Sequence, residues 1–190
     1  MKPPEWTNED RKQLLEIARR SLEHGVRHSA PLPIDPDQVP DALRTPGASF
    51  VTLERNGALR GCIGSLEARE PLAVDVARNA YHAGFQDPRF PPITAGELDE
   101  LELQLSVLTP PEPMSFDSEA DLLNQLRPGV DGLIIEDGGR RVTFLPSVWE
   151  SIPEPDLFLA HLKQKAGWPV DYWSPTLHAW RYTTESIRAG

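Results

Sequence analysis

Cysteine is almost absent: the 190 residues contain one, Cys62. A lone thiol closes no internal disulfide, makes no C-x-x-C pair and builds no multi-cysteine zinc site. Long apolar runs are missing as well, and none approaches the ~20 residues of a membrane span. The opening Met1-Lys2-Pro3-Pro4-Glu5-Trp6 lacks the apolar core of a signal peptide. The cytoplasm, with no membrane attachment, is therefore the expected location. Positive charge is scarce. The net charge is -10, and residues 93–140 carry two basic against eleven acidic groups. Generic nucleic-acid binding calls for a basic stripe, so that class is the weakest of the functional readings. There is no G-x-x-x-x-G-K-[ST] phosphate loop, no H-E-x-x-H and no G-x-S-x-G. No cofactor and no metal site is assigned.

Proline is what the chain has in quantity, twenty in all. Pro31, Pro33, Pro36, Pro40 and Pro46 fall so close together that an extended loop without helix or ladder is expected there. Around it the patterning is that of an ordinary globular chain, one domain over 1–190 or two small lobes sharing a cleft. Thr7 and Asp10 form a capping-box pattern before a helix with Leu14, Leu15, Ile17, Ala18 and Leu22 on one face and Gly25 as its C-cap. Phe50–Leu53 and Leu59–Leu66 flank Asn56-Gly57, the dipeptide that suits a type I′ hairpin turn. Pro71 opens a helix whose stripe is Leu72, Val76, Ala80 and Ala83. Leu101, Leu103, Leu105 and Val107 alternate with polar residues, a half-buried strand.

The second half repeats the order. A short helix near Ser118–Leu126 precedes a hairpin around Asp137-Gly138-Gly139. A helix carrying Leu157, Phe158, Leu159 and Leu162 ends at Gly167, and a strand runs from Leu177 to Thr183. The two turns are offset by 82 residues. The expected fold is α+β: antiparallel sheets with flanking helices and an internal duplication of hairpin, helix and strand.

The chemistry-bearing stretch is Leu59-Arg60-Gly61-Cys62-Ile63-Gly64. Strand alternation puts Arg60, Cys62 and Gly64 on one face and Leu59, Gly61 and Ile63 on the other. Glycines inside a strand mark a bulge or the close approach of a ligand or backbone. A guanidinium beside a thiol favours the thiolate, so Cys62 is a candidate nucleophile; a small buried core residue is the competing reading. A base is harder to find. His24, His28, His82, His161 and His178 stand at no telling spacing, although Asp75 lies seven residues before His82 on the same helix face. Asp87 and Arg89 flank Pro88 in a stiff loop, placed to reach the Cys62 face or to form a surface ion pair. Arg60, Cys62, Asp87 and Arg89 are expected to line one cleft, with Cys62 partly open to it. The acidic run from Glu97 to Glu102 reads as a solvated edge.

Leu59–Gly64, then Asp87-Pro88-Arg89-Phe90, then Leu105–Pro113, then Leu145-Pro146-Ser147-Val148, then Lys165-Ala166-Gly167 occur in an order that resembles the AMMECR family over about residues 8–188. The resemblance implies an α+β fold with internal duplication, and the A component of an AmmeMemoRadiSam system working beside Memo-type and radical-SAM proteins. It further implies a Cys-dependent modification or transferase role, on RNA or a nucleotide. Cys62, Arg60 and Asp87 would be catalytic, and Gly61, Gly64, Arg89, Phe90 and Lys165 would bind the ligand. A non-catalytic module that binds a protein or peptide is the alternative. The chain departs from the family pattern at Lys163, where members often carry a second cysteine.

Overall fold

A computed structural model describes residues 5–189, which fall into two compact units, one running to Leu108 and resuming at Glu185, the other spanning Thr109–Thr184.

In the first unit, α1 (Asn8–His28) starts on the expected capping box, with Thr7 and Asp10 satisfying each other's end groups. Gly25 does not end it. The helix runs three residues further and stops at Ser29, in the left-handed region at φ 54°. Gly25 is needed for another reason: a Cβ there would lie 2.4 Å from the Phe85 ring and 2.8 Å from that of Tyr81. The proline-rich stretch also differs from expectation. It holds a 3-10 turn at Pro36–Gln38, a one-turn helix α2 (Asp41–Arg44) and a bridge between Pro46 and Pro71. Pro36 occupies the first turn of its helix, where an amide hydrogen is not needed, and Pro40 precedes α2. Leu43 of α2 is fully buried.

β1 (Ser49–Arg55) and β2 (Ala58–Gly64) form the hairpin, with Asn56 and Gly57 at φ 53° and 78° as a type I′ turn requires. α3 (Leu72–Phe85) follows, and β3 (Leu101–Leu108) pairs antiparallel with β1. The core lies between this sheet and the helices: Val51, Leu53 and the four alternating residues of β3 pack on Leu14, Leu22, Val76 and Ala80.

The second unit begins with β4 (Glu112–Pro113) and α4 (Glu119–Gln125), then the hairpin β5 (Gly132–Asp137) and β6 (Arg140–Phe144). α5 (Pro155–Lys165) and β7 (His178–Tyr182) complete the repeat. Trp149 stacks on Phe158, ring centroids 3.8 Å apart, at the centre of this core. β8 (Thr184–Arg188) returns to the first sheet. The sheet orders, β2-β1-β3-β8 and β6-β5-β7-β4, are the same motif twice. In each, the strand after the helix lies beside the first hairpin strand, and the fourth place is filled by the strand that follows the other unit's repeat. The α+β fold with antiparallel sheets and internal duplication is thus observed.

Candidate functional site around Cys62

The two hairpins differ at one point, and that point sets the position of Cys62. In the second hairpin the register runs without interruption, Asp137 opposite Arg140 through Leu133 opposite Phe144. The same rule applied to the first would set Gly61 opposite Thr52. Instead the register shifts between Leu53 and Glu54, so that Glu54 faces Leu59, Leu53 faces Gly61, and Arg60 is the extra residue of a β-bulge. A one-residue slip moves every later side chain to the other face. The bulge therefore turns Gly61 and Ile63 toward the helices and Cys62 and Gly64 away from them. Two contacts agree. A Cβ on Gly61 would meet the Ala83 carbonyl of α3 at 2.1 Å, and one on Gly64 would meet the Phe50 ring at 2.2 Å. Cys62 is half-buried, its sulfur 3.3 Å from the Thr52 hydroxyl in the cross-strand pair.

β2 is an edge strand, so the Cys62 amide and carbonyl point out of the sheet unpaired by any strand. The Asp87-Pro88-Arg89 loop covers both. The Asp87 Oδ2 accepts the Cys62 amide at 3.0 Å, and Arg89 Nη2 reaches the Cys62 carbonyl at 3.5 Å. The two side chains are themselves joined, Arg89 Nε to Asp87 Oδ1 at 3.0 Å and Nη2 to Oδ2 at 2.7 Å. The Asp87 side chain is 2% exposed and that of Arg89 55%. The Arg89 fork, with the Cys62 and Arg89 amides behind it, holds the Asp87 carboxyl well below the usual carboxylate range against the opposing effect of burial. Asp87 is consequently a fixed anion at neutral pH, poorly suited to carry protons. The Arg89 charge is strengthened chiefly by Asp87, with Cys62 a smaller contributor. Phe90 closes the turn through its amide on the Asp87 carbonyl, its ring 5.4 Å from the Arg89 guanidinium.

Arg60 does not share this neighbourhood with its side chain. Its Nε and Nη2 donate to Glu97 at 3.0 and 3.3 Å and its Nη1 to the Pro91 carbonyl at 2.8 Å. Arg55 joins the same carboxylate at 3.0 Å. The alternation rule failed here because the bulge breaks it. The guanidinium beside Cys62 is that of Arg89. Glu97 is correspondingly buried, and the acidic run is not simply solvated. Arg60 above all holds the Glu97 carboxyl down at about 2.

Lys165 lies in the second unit, where its Nζ donates to the Thr143 carbonyl at 2.9 Å. Thr143 is paired with Ile134 on the edge strand β6, the repeat's counterpart of Cys62 paired with Thr52. In each unit a cation from the end of the post-hairpin helix or the loop after it thus covers the same edge carbonyl. Asp75 makes no pair with His82. It is buried, accepts from Ser49, Asn79 and Arg78, and is raised by that burial. Burial, then the Arg78 charge, lowers His82.

Sequence reasoning missed Thr52, the burial of Glu97, and Ser49, Arg78 and Asn79 around Asp75. Thr94 followed by Glu97 is a capping-box signature that could have flagged the second, and the structure contains that box. Among the described residues no group of three or more His, Cys, Asp or Glu side chains is placed to hold a metal ion, and no helix is long and apolar enough to cross a membrane.

The depressed carboxyls carry a pH dependence. A group whose folded pKa lies below its unfolded value contributes stability that is complete above the unfolded value, ~4.3 for Glu, and is lost as pH falls through the folded one. Urea midpoints should therefore drop from pH 6 to pH 3. Glu97→Gln should start lower at pH 6 and fall less over that interval; parallel declines would show that Glu97 contributes nothing.

The chain is similar to a protein of Methanothermobacter thermautotrophicus, 39% identical over 97% of both chains, and to one of Thermotoga maritima, 39% identical over 90% of this chain and 94% of the relative. The crystal structure of an uncharacterized protein from Pyrococcus horikoshii superposes with a TM-score of 0.86 at 34% identity, covering 95% of this chain and 91% of that one. The AMMECR1 family model matches residues 15–187, and with matches of that extent the chain belongs to the AMMECR1 family.

Proposed function

We propose that the chain is the thiol-bearing component of a modification or group-transfer reaction on an anionic substrate, with Cys62 as the nucleophile. The observation that carries this reading is the bulge at Arg60, which takes the only thiol off the core face, on a residue whose backbone carbonyl the Arg89 guanidinium reaches. Bulges commonly re-aim a side chain in this way next to active sites. Asp87 holds the Nε and Nη2 donors of Arg89, but the half-exposed guanidinium still presents positive charge that suits a phosphate or carboxylate, in keeping with an RNA or nucleotide substrate. That substrate, the AmmeMemoRadiSam assignment and the Memo-type and radical-SAM partners rest on the family resemblance.

Alkylation tests it. The lone thiol of the folded protein should react at pH 7, and iodoacetate should gain on iodoacetamide relative to the ratio shown by glutathione. Arg89→Gln should abolish that gain. Reaction only after unfolding in urea would remove the nucleophile.

A second reading, a binding module for a protein or peptide, is favoured by one observation. The hydrogen-bond partner of the Cys62 sulfur is a threonine hydroxyl, and the nearby carboxylate is held ionised. Neither is a general base for the thiol.

A further inference from the structure

The second unit contains a cleft of about 530 Å³ remote in sequence from Cys62 and walled by Met114, Phe116, Asp117, Trp173, Leu177 and His178. That size is typical of a ligand site. Its walls come from the segment between β4 and α4 and from the approach to β7. The Phe116 ring meets Trp173 edge-on, centroids 5.6 Å apart. Trp173 is held from beneath by the buried Lys163, whose ammonium lies 5.8 Å from the ring and is neutralised by Glu119 at 2.6 Å. Lys163 is wholly buried, so its charge is not available at the cleft surface.

Asp117 is the carboxylate among the lining residues. Residues 112–121 carry four carboxylates and no basic side chain. Glu112 pairs with Arg181 at 3.8 Å, Glu119 is committed to Lys163, and Asp121 accepts the Asp117 amide while its own amide donates to the Ser118 hydroxyl. Asp117 is exposed at the cleft mouth. Aromatic faces, a thioether and a carboxylate around a concave space suit an alkyl chain ending in a cation: the chain packs on the rings, and the charge meets both the π faces and the carboxylate.

We propose that this cleft binds the lysine side chain of a partner peptide. The aliphatic stem lies against Phe116 and Trp173, and the ammonium is directed to Asp117. The site is independent of the thiol reading. A 530 Å³ space exceeds one side chain, leaving room for the flanking peptide backbone.

The test uses the full chain and three peptides, acetyl-Gly-Lys-Gly-amide, its trimethyl-lysine form and its norleucine form, with n-butylammonium chloride as a fourth probe. Binding is read from the Trp173 indole resonance in a ¹H–¹⁵N spectrum. Both cationic peptides should shift it saturably and bind at least tenfold more tightly than the norleucine peptide. Asp117→Asn, an exposed change that leaves the fold intact, should erase that tenfold margin. Trp173→Ala, checked for folding by its remaining amide spectrum, should abolish binding. Equal affinity for the lysine and norleucine peptides, or no shift at millimolar concentration, overturns the proposal. So does butylammonium binding as tightly as the peptide, which would make the cleft a site for small amines.

Discussion

Gly61→Ala is expected to lower the stability of the first unit by about 3 kcal/mol, the upper end of what overpacking usually costs. The added Cβ would stand 2.1 Å from the Ala83 carbonyl oxygen and 3.0 Å from its carbon. Those atoms belong to the backbone of α3, so no side-chain rotation relieves the clash. Either β2 lifts away from the helix or the last turn of α3 moves. Both outcomes reach Cys62, because Asp87 lies two residues beyond the end of α3 and grips the Cys62 amide. The melting temperature of a chain this size falls roughly 2–4 °C per kcal/mol, so a drop of about 6–12 °C should be seen by calorimetry, with Cys62 alkylation changed in parallel. Gly96→Ala is the control. Its nearest neighbour is 4.0 Å away, and its melting temperature should stay within about 2 °C of the parent. A Gly61→Ala protein that melts with the parent would mean that β2 does not pack on Ala83.

Local rules reached the parts of this fold that local forces decide. Asn56-Gly57 and Gly138-Gly139 need positive φ, and both turns are where the dipeptides put them. The alternation of Leu101, Leu103, Leu105 and Val107 survives intact because one face of β3 is core. The misses are tertiary. The glycines of Leu59–Gly64 mark a bulge or a close backbone approach, and both are present, but the sequence does not say that the bulged residue is Arg60 or that the backbone is that of Ala83, which together decide which way Cys62 points. Hence Asp87 and Arg89 do meet Cys62, while Arg60, expected beside the thiol, gives its charge to Glu97. β8 is not legible in the sequence because Thr184–Arg188 buries a single apolar residue, Ile187, too few to show a period. Proline density argues against α2, yet Pro40 only precedes it and Leu43 supplies its anchor.

Lys163 yields the other large effect. A side chain of that length at 0% exposure needs a partner for its charge; Glu119 at 2.6 Å and the Val170 carbonyl at 3.2 Å supply it. The pair is lopsided, since Glu119 is 39% exposed. Removing the glutamate strands a buried ammonium, whereas removing the lysine releases a carboxylate that water can reach. Breaking a buried pair by deleting one partner costs ~3–5 kcal/mol, while an apolar replacement of similar volume is often neutral. Glu119→Ala should therefore destabilise the second unit by about 3 kcal/mol, the lower end, because the carboxylate was partly solvated. Lys163→Met, which keeps the volume beneath Trp173, should cost under about 1 kcal/mol. Chemical denaturation followed by tryptophan fluorescence distinguishes the two, since Trp149, Trp168, Trp173 and Trp180 all lie in this unit. Should Lys163→Met prove as damaging as Glu119→Ala, the ion pair itself would be what holds the unit together, and the asymmetry of burial would not govern its energetics.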